Sequence, residues 1–324
     1  MKRAFLLTGL LALCLSCGGP SSGGSSEGEA LDRPFAQPSI PGLIVDPADR
    51  AAYLAEHYWD AYFAGDGRCD SAALLGVSVP DLEQAVATWC GLLEEMPVAD
   101  AQKAVEKTFD AMEARHAADT SEHVYARFGE IIIRYLYDPN SPLRSEDLYL
   151  PFVRRLLQSP YTPEDMLPAY RYEARMCAIN PIGAKVPDFR FKMLSGRVST
   201  LYAVRAEYLM LFFSNPGCQA CKGIVDEVMG HPGIPEMLAS GQLAVVNLYI
   251  DEDIAAWRAY AENYPESWIS GYDPDGVIRA DRLYCVRAIP SLYLLDAEKC
   301  VILRDAPTER VLAYLDKTQE IKFL

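Results

Sequence analysis

The spacing of apolar residues changes once along the chain, near residue 177. Before that point it is helical. Pro47 and Asp49 open a segment in which Leu54, Tyr58 and Tyr62 share a stripe with Trp59 and Phe63 beside it, which gives one side of a helix a broad aromatic face. Aromatic residues at that spacing are read as core, not as a ligand pocket. Pro80-Asp81 opens the next segment, with Leu82, Val86, Trp89 and Leu93 in phase, and Val98, Ala101, Val105, Phe109 and Met112 mark another. Gly129 to Tyr137 and Leu148 to Leu157 continue the series across the turn Asp138-Pro139-Asn140-Ser141-Pro142. The pattern predicts five to seven short helices in an antiparallel array.

After Asn180-Pro181-Ile182-Gly183 the apolar residues gather into short runs instead. Leu209–Phe213, Ala244–Ile250, Ser291–Leu295 and Val301–Leu303 read as strands, with helical stretches at Lys222–Met229, Ile254–Glu262 and Pro307–Thr318. Asp296-Ala297-Glu298-Lys299 reads as a hairpin turn. Strands alternating with helices, then a hairpin and a last helix, predict an α/β domain whose central sheet is covered on both faces.

The first residues fit neither pattern. Met1-Lys2-Arg3 is a basic start and Ala4 to Leu15 an apolar core too short to span a bilayer, as in a secretory signal. Ser16-Cys17, followed by Gly, Ser and Pro, has the form of a bacterial lipoprotein cleavage box; Cys14, after Leu13, fits it less well. The expected organisation is a signal over 1–16, a lipid anchor on Cys17, a flexible tether over 17–42, an all-α domain over 43–176 and an α/β domain over 177–324. This places the protein in the cell envelope, attached to a membrane and facing the periplasm or the cell surface.

The formal charge of −15 removes nucleic acid from the expected partners, since a nucleic-acid site needs a basic face. Nine cysteines suit an exported protein. Without Cys14 and Cys17 there remain Cys69, Cys90, Cys177, Cys218, Cys221, Cys285 and Cys300, an odd number, so at least one is unpaired within the chain. Cys69 and Cys90 are close enough in sequence to bridge, at a gain of about 3 kcal/mol, or to be core thiols.

Gly217-Cys218-Gln219-Ala220-Cys221 lies where an apolar strand hands over to a helix. There the unpaired amides and the dipole of the helix N-terminus favour a thiolate on Cys218, and Cys221, one turn on, can close a disulfide onto it. A structural zinc site would need four ligands, and the chain has one C-x-x-C and four scattered histidines, His57, His116, His123 and His231. No metal or other cofactor is expected. A purely structural bridge at this spacing would constrain little. A peroxiredoxin would need Pro and Thr or Ser where Leu211 and Asn215 stand. Redox exchange is the remaining reading. Downstream, Pro290 heads an apolar strand, a place an ordinary ladder residue would fill, and reads as a cis-proline facing the thiols.

Three motifs in this order resemble the TlpA/ResA/DsbE-like thioredoxin-fold proteins over roughly residues 180–324: Val186-Pro187-Asp188-Phe189, Asn215-Pro216-Gly217-Cys218 and Ala288-Ile289-Pro290-Ser291. The resemblance implies a thioredoxin-like fold, an attacking Cys218, a resolving Cys221, and a loop at Ile289 and Pro290 whose Ile289 backbone receives an extended substrate. The first half resembles a helical domain of unknown function that precedes such modules in lipoproteins of Gram-negative bacteria, through Glu56-His57-Tyr58-Trp59-Asp60 and the turn Tyr137 to Pro142. The chain also departs from these relatives. Phe212 stands where thioredoxins carry a buried Asp, and Ile224 where ResA-like proteins often carry a Glu, so the usual proton acceptor for the second thiol is missing. Asp226, Glu227 and Asp251 are the candidate substitutes, although each reads more simply as a solvated surface acid. Cys285, five residues before Pro290, reads as a packing residue, the alternative being a thiol that approaches the site. The expected activity is thiol–disulfide exchange on envelope proteins, supplied by an electron donor. The alternative is a binding lipoprotein that uses the thioredoxin fold as a scaffold with an idle dithiol.

Overall fold

A computed structural model describes residues 32–322. The signal segment, Cys17 and the first part of the tether lie outside these residues. From Asp32 the chain has no regular structure, yet it is not free: Arg33 donates to the carbonyls of Leu75 (2.8 Å) and Tyr62 (2.7 Å), and the Phe35 ring lies 5.2 Å from that of Tyr58. The expected tether is therefore docked at Arg33 and Phe35.

Among the described residues seven α-helices make up the first half: α1 (Pro47–His57), α2 (Asp60–Phe63), α3 (Val79–Glu94), α4 (Val98–Ala118), α5 (Val124–Tyr137), α6 (Glu146–Leu156) and α7 (Leu167–Cys177). Polar caps fix three of the starts, with Asp46 ahead of α1, Ser78 ahead of α3 and Ser145 ahead of α6. The aromatic stripe is core: Tyr58, Trp59 and Tyr62 are buried, and Trp59 makes edge contacts with Phe128 (4.9 Å) and Trp89 (5.8 Å). A two-stranded hairpin, β1 (Ala73–Leu74) and β2 (Val77–Ser78), was not predicted. Cys69 and Cys90 are free thiols. Cys90 lies on the inner face of α3, while the Cys69 sulfur accepts from the Leu75 amide, so the bridge does not form.

The second half contains β3 (Arg190–Met193), β4 (Val198–Thr200), β5 (Tyr208–Phe213), α8 (Gln219–Gly230), α9 (Ile234–Ala239), β6 (Leu243–Tyr249), α10 (Ile254–Tyr260), β7 (Ile269–Tyr272), α11 (Val277–Ala280), β8 (Ser291–Asp296), β9 (Val301–Leu303) and α12 (Thr308–Lys322). Its seven strands form one sheet in the order β4-β3-β7-β6-β5-β8-β9, parallel through β5, β6 and β7 and antiparallel elsewhere. The period of two divides the central strand between two cores. Leu209, Leu211 and Phe213 face a layer with Phe191, Ile278 and Tyr284, whereas Met210 and Phe212 face α8 and α12 through Val228, Val311 and Leu315. The sheet is covered on both faces. Strands β3, β4 and β7 were not among the predicted elements, and the Val186–Phe189 motif leads into β3, which begins at Arg190.

Candidate active site

The register of two strands assembles the site. β5 and β8 run antiparallel with Phe213 opposite Ser291, so the loop leaving β5 and the loop entering β8 emerge at the same end of adjacent strands. The first loop carries Cys218 and the second carries Ile289 and Pro290. Cys218, Cys221 and Ile289 all pack in the apolar cluster under α8. The Ile289–Pro290 peptide bond is cis. Both residues of that pair are half-buried, within reach of a docking chain.

Asn215-Pro216-Gly217-Cys218 turns the chain from strand to helix. The Cys218 amide donates to the Asn215 carbonyl at 3.3 Å, and Gly217 has φ 71°. Pro at the second position and Gly with positive φ at the third mark a type II turn. The turn sets Cys218 at the N-cap of α8, where its sulfur accepts from the Cys221 amide at 3.1 Å. Cys218 is bonded to Cys221, with their Cα atoms 5.2 Å apart. Cys218 is half-exposed and Cys221 only 2 % exposed, so solvent meets the first sulfur and protein encloses the second.

Phe212 fills the place beneath the dithiol, fully buried with its ring 6.0 Å from Trp268. A cavity of about 190 Å³ instead opens beside Cys221, lined among others by Asn215, Asp226, Tyr260, Asn263 and Tyr264. Of the three candidate acids, Asp226 reaches this cavity and is paired with Lys222. Asp251 is engaged by Asn215 (2.7 Å) and Arg279. Glu227 is exposed on α8, and partial burial together with the nearby Glu309 raises its carboxyl pKa. Cys285 is not at the dithiol. It donates to Glu146 of the helical half at 3.1 Å, and burial pushes its pKa well up.

A polar group was missed from sequence. Ser214 donates to the Asn247 side-chain oxygen at 2.5 Å and lies 3.0 Å from the Tyr264 hydroxyl, all three buried at the end of β5 that leads to the thiols. The available signal was a single asparagine within the otherwise apolar run Leu243–Tyr249.

The chain is similar to known proteins along its length. Residues 17–174 match a domain of unknown function, DUF5106. A thioredoxin-like protein from Bacteroides caccae is 35 % identical, with 87 % of this chain and 98 % of that chain covered at a TM-score of 0.72. The C-terminal domain of an uncharacterized protein from Bacteroides fragilis is 39 % identical over 42 % of this chain and 98 % of its own, at a TM-score of 0.41. The thioredoxin domain of a thiol-disulfide oxidoreductase from Bacteroides vulgatus is 16 % identical, covering 43 % of this chain and 97 % of that one at a TM-score of 0.38. No curated protein matches. With its dithiol at the head of α8, a mixed sheet covered on both faces and a relative aligned across both halves, the chain belongs to the thioredoxin-like proteins, here preceded by a DUF5106 domain.

Proposed function

We propose that the protein is a thiol–disulfide oxidoreductase of the cell envelope, acting on protein disulfides and held to a membrane by lipid on Cys17. The observation that carries the reading is the Phe213–Ser291 register, which gathers a half-exposed sulfur, an enclosed sulfur and the Ile289–Pro290 loop at one end of the sheet. In the reducing direction the Cys218 thiolate attacks one sulfur of a substrate disulfide and expels the other as thiolate. Cys221 loses its proton and attacks Cys218, re-forming the Cys218–Cys221 bond and releasing the second substrate thiolate. Two electrons pass from the dithiol to the substrate, and a donor dithiol restores the protein. The proton of Cys221 leaves through the adjoining cavity, with Asp226 on its wall. Pro290 has no N–H, so the backbone of Ile289 is left to pair with the substrate chain.

Replacing Cys221 by Ala removes the resolving thiol and keeps the attacking one. Expressed in the native envelope, Cys221→Ala is expected to accumulate mixed disulfides on Cys218, seen by non-reducing electrophoresis and identified by mass spectrometry, with Cys218→Ala as control. If Cys221→Ala captures nothing beyond what Cys218→Ala captures, the exchange reading fails and a binding lipoprotein with an idle dithiol takes its place. Attachment rests on Ser16-Cys17 and is tested by fractionation. Wild type is expected with membranes and Cys17→Ala in the soluble fraction, and identical partitioning as soluble protein removes the anchor.

A further inference from the structure

Arg287 lies two residues before Ile289 and is 10 % exposed, and two of its three hydrogen-bonding partners belong to the other half of the molecule. Its Nε donates to Glu146 Oε1 at 2.8 Å, one terminal nitrogen donates to the Tyr137 carbonyl, and the other donates to Asp305 at 3.2 Å. The guanidinium also sits 4.3 Å above the Tyr137 ring, which stacks on Tyr149 at 4.4 Å. Glu146 heads α6, capped by Ser145, and accepts from the Cys285 thiol as well. Tyr137 ends α5. Two helices of the DUF5106 domain therefore grip the segment 285–287, and the Cys285 carbonyl is tied to β8 by the Tyr293 hydroxyl at 2.9 Å.

Burying such a pair is a poor way to gain stability, because desolvation offsets most of the attraction, but it fixes geometry. The guanidinium fork has one arrangement that satisfies all three partners at once. The loop is pinned beyond Pro290 by the pairing of Ser291 with Phe213, and before Ile289 by Arg287. Only Ala288 separates Arg287 from the backbone proposed to meet substrate, and it is exposed. We propose that Arg287, held by Glu146 and Tyr137, is a positioning residue for the Ile289–Pro290 loop, so that the helical domain sets how protein disulfides dock beside Cys218. This deepens the oxidoreductase reading and rests on it for the identity of the substrate.

The test uses the full chain and the variants Glu146→Gln and Arg287→Met, with Arg310→Met as reference. Arg310 also joins the two halves, but it pairs with Glu94 at the end of α3 (3.0 Å) and not with Glu146 or Tyr137, whereas Arg304 lies 3.6 Å from Glu146 and is no independent reference. Two readouts are taken: the rate on insulin disulfides relative to that on a small aromatic disulfide, and amide exchange at Ala288 and Ile289. Both loop variants are expected to lower the rate ratio about tenfold, through KM for insulin, and to speed loop exchange by a similar factor. Arg310→Met is expected to lower the melting temperature and leave the ratio unchanged. If Arg287→Met does not fold by circular dichroism, Glu146→Gln, which keeps the shape and one acceptor, decides alone. A folded loop variant with wild-type ratio and wild-type loop exchange overturns the proposal. If wild type acts on neither disulfide, the oxidoreductase reading falls, and loop exchange still decides whether Arg287 holds the loop.

Discussion

At the scale of single residues, Gly217 shows how one backbone angle places the chemistry. A Cβ there would meet no atom within 4 Å, so the cost of a side chain is not steric contact with neighbours but the positive φ of 71°. Gly217→Ala is expected to destabilise the protein by about 1–2 kcal/mol, read as a lower urea midpoint with an unchanged slope. A midpoint equal to wild type would mean that the turn relaxes to another conformation. The two cysteines and the glycine before them were legible because their meaning depends on neighbours in sequence. Asn247 was not, because its partners Ser214 and Tyr264 reach it only when β5 and β6 lie side by side. Asp226 was already a candidate from sequence, five residues after Cys221, and the fold sets it on the wall of the cavity beside that thiol.

At the scale of elements, the helix ends carry charge that the fold must accommodate. Glu94 closes α3, where the helix dipole already opposes a negative charge. Burial raises its carboxyl above the usual 4.5, Arg310 at 3.0 Å offsets part of this, and Glu95 adds to it. The folded state therefore holds this proton more tightly than the unfolded chain does, so the carboxylate costs stability as pH rises from 4.5 through the folded pKa, and the cost is constant above it. Glu94→Gln lacks this dependence. Its stability relative to wild type is expected to increase as pH rises from 4.5 through the folded pKa and then to level off in urea unfolding, and a flat difference would show that Glu94 titrates as in the unfolded chain. Central strands were legible as unbroken apolar runs, since both of their faces are buried. Arg190–Met193, Val198–Thr200 and Ile269–Tyr272 are short and mixed in character, and they become strands because neighbouring strands supply their hydrogen bonds.

At the scale of the whole molecule, the two halves meet through charge. Arg304, with a side chain 1 % exposed, lies 2.8 Å from Asp147 and donates to the carbonyls of Cys177 and Ile179, while Arg310 and Lys317 of α12 pair with Glu94 and Glu95 at the end of α3. Removing one partner from a buried pair leaves the other charge unpaired, so Arg304→Met is expected to cost about 3–5 kcal/mol. Because it acts at the joint, the loss is expected to separate the unfolding of the two halves, read by calorimetry as two transitions in place of one. A single transition at the wild-type temperature would show that the joint adds nothing.

Periodicity, turn chemistry and thiol spacing are local properties, so the two periods, the helical and α/β halves, the apolar core of each and the Cys218–Cys221 pair could be read from the residues alone. The sequence did not determine what surrounds the dithiol or what the helical half touches. Glu146 and Asp147 look in sequence like ordinary acids in the first turn of a helix, and Arg287 and Arg304 like surface bases. Only the tertiary structure brings them together out of water, across some 140 to 157 positions of chain, and turns four unremarkable charges into the joint beside the Ile289–Pro290 loop. The physical reason is that a charge acquires such a role from its desolvation and its partners, and neither is written in the residues next to it.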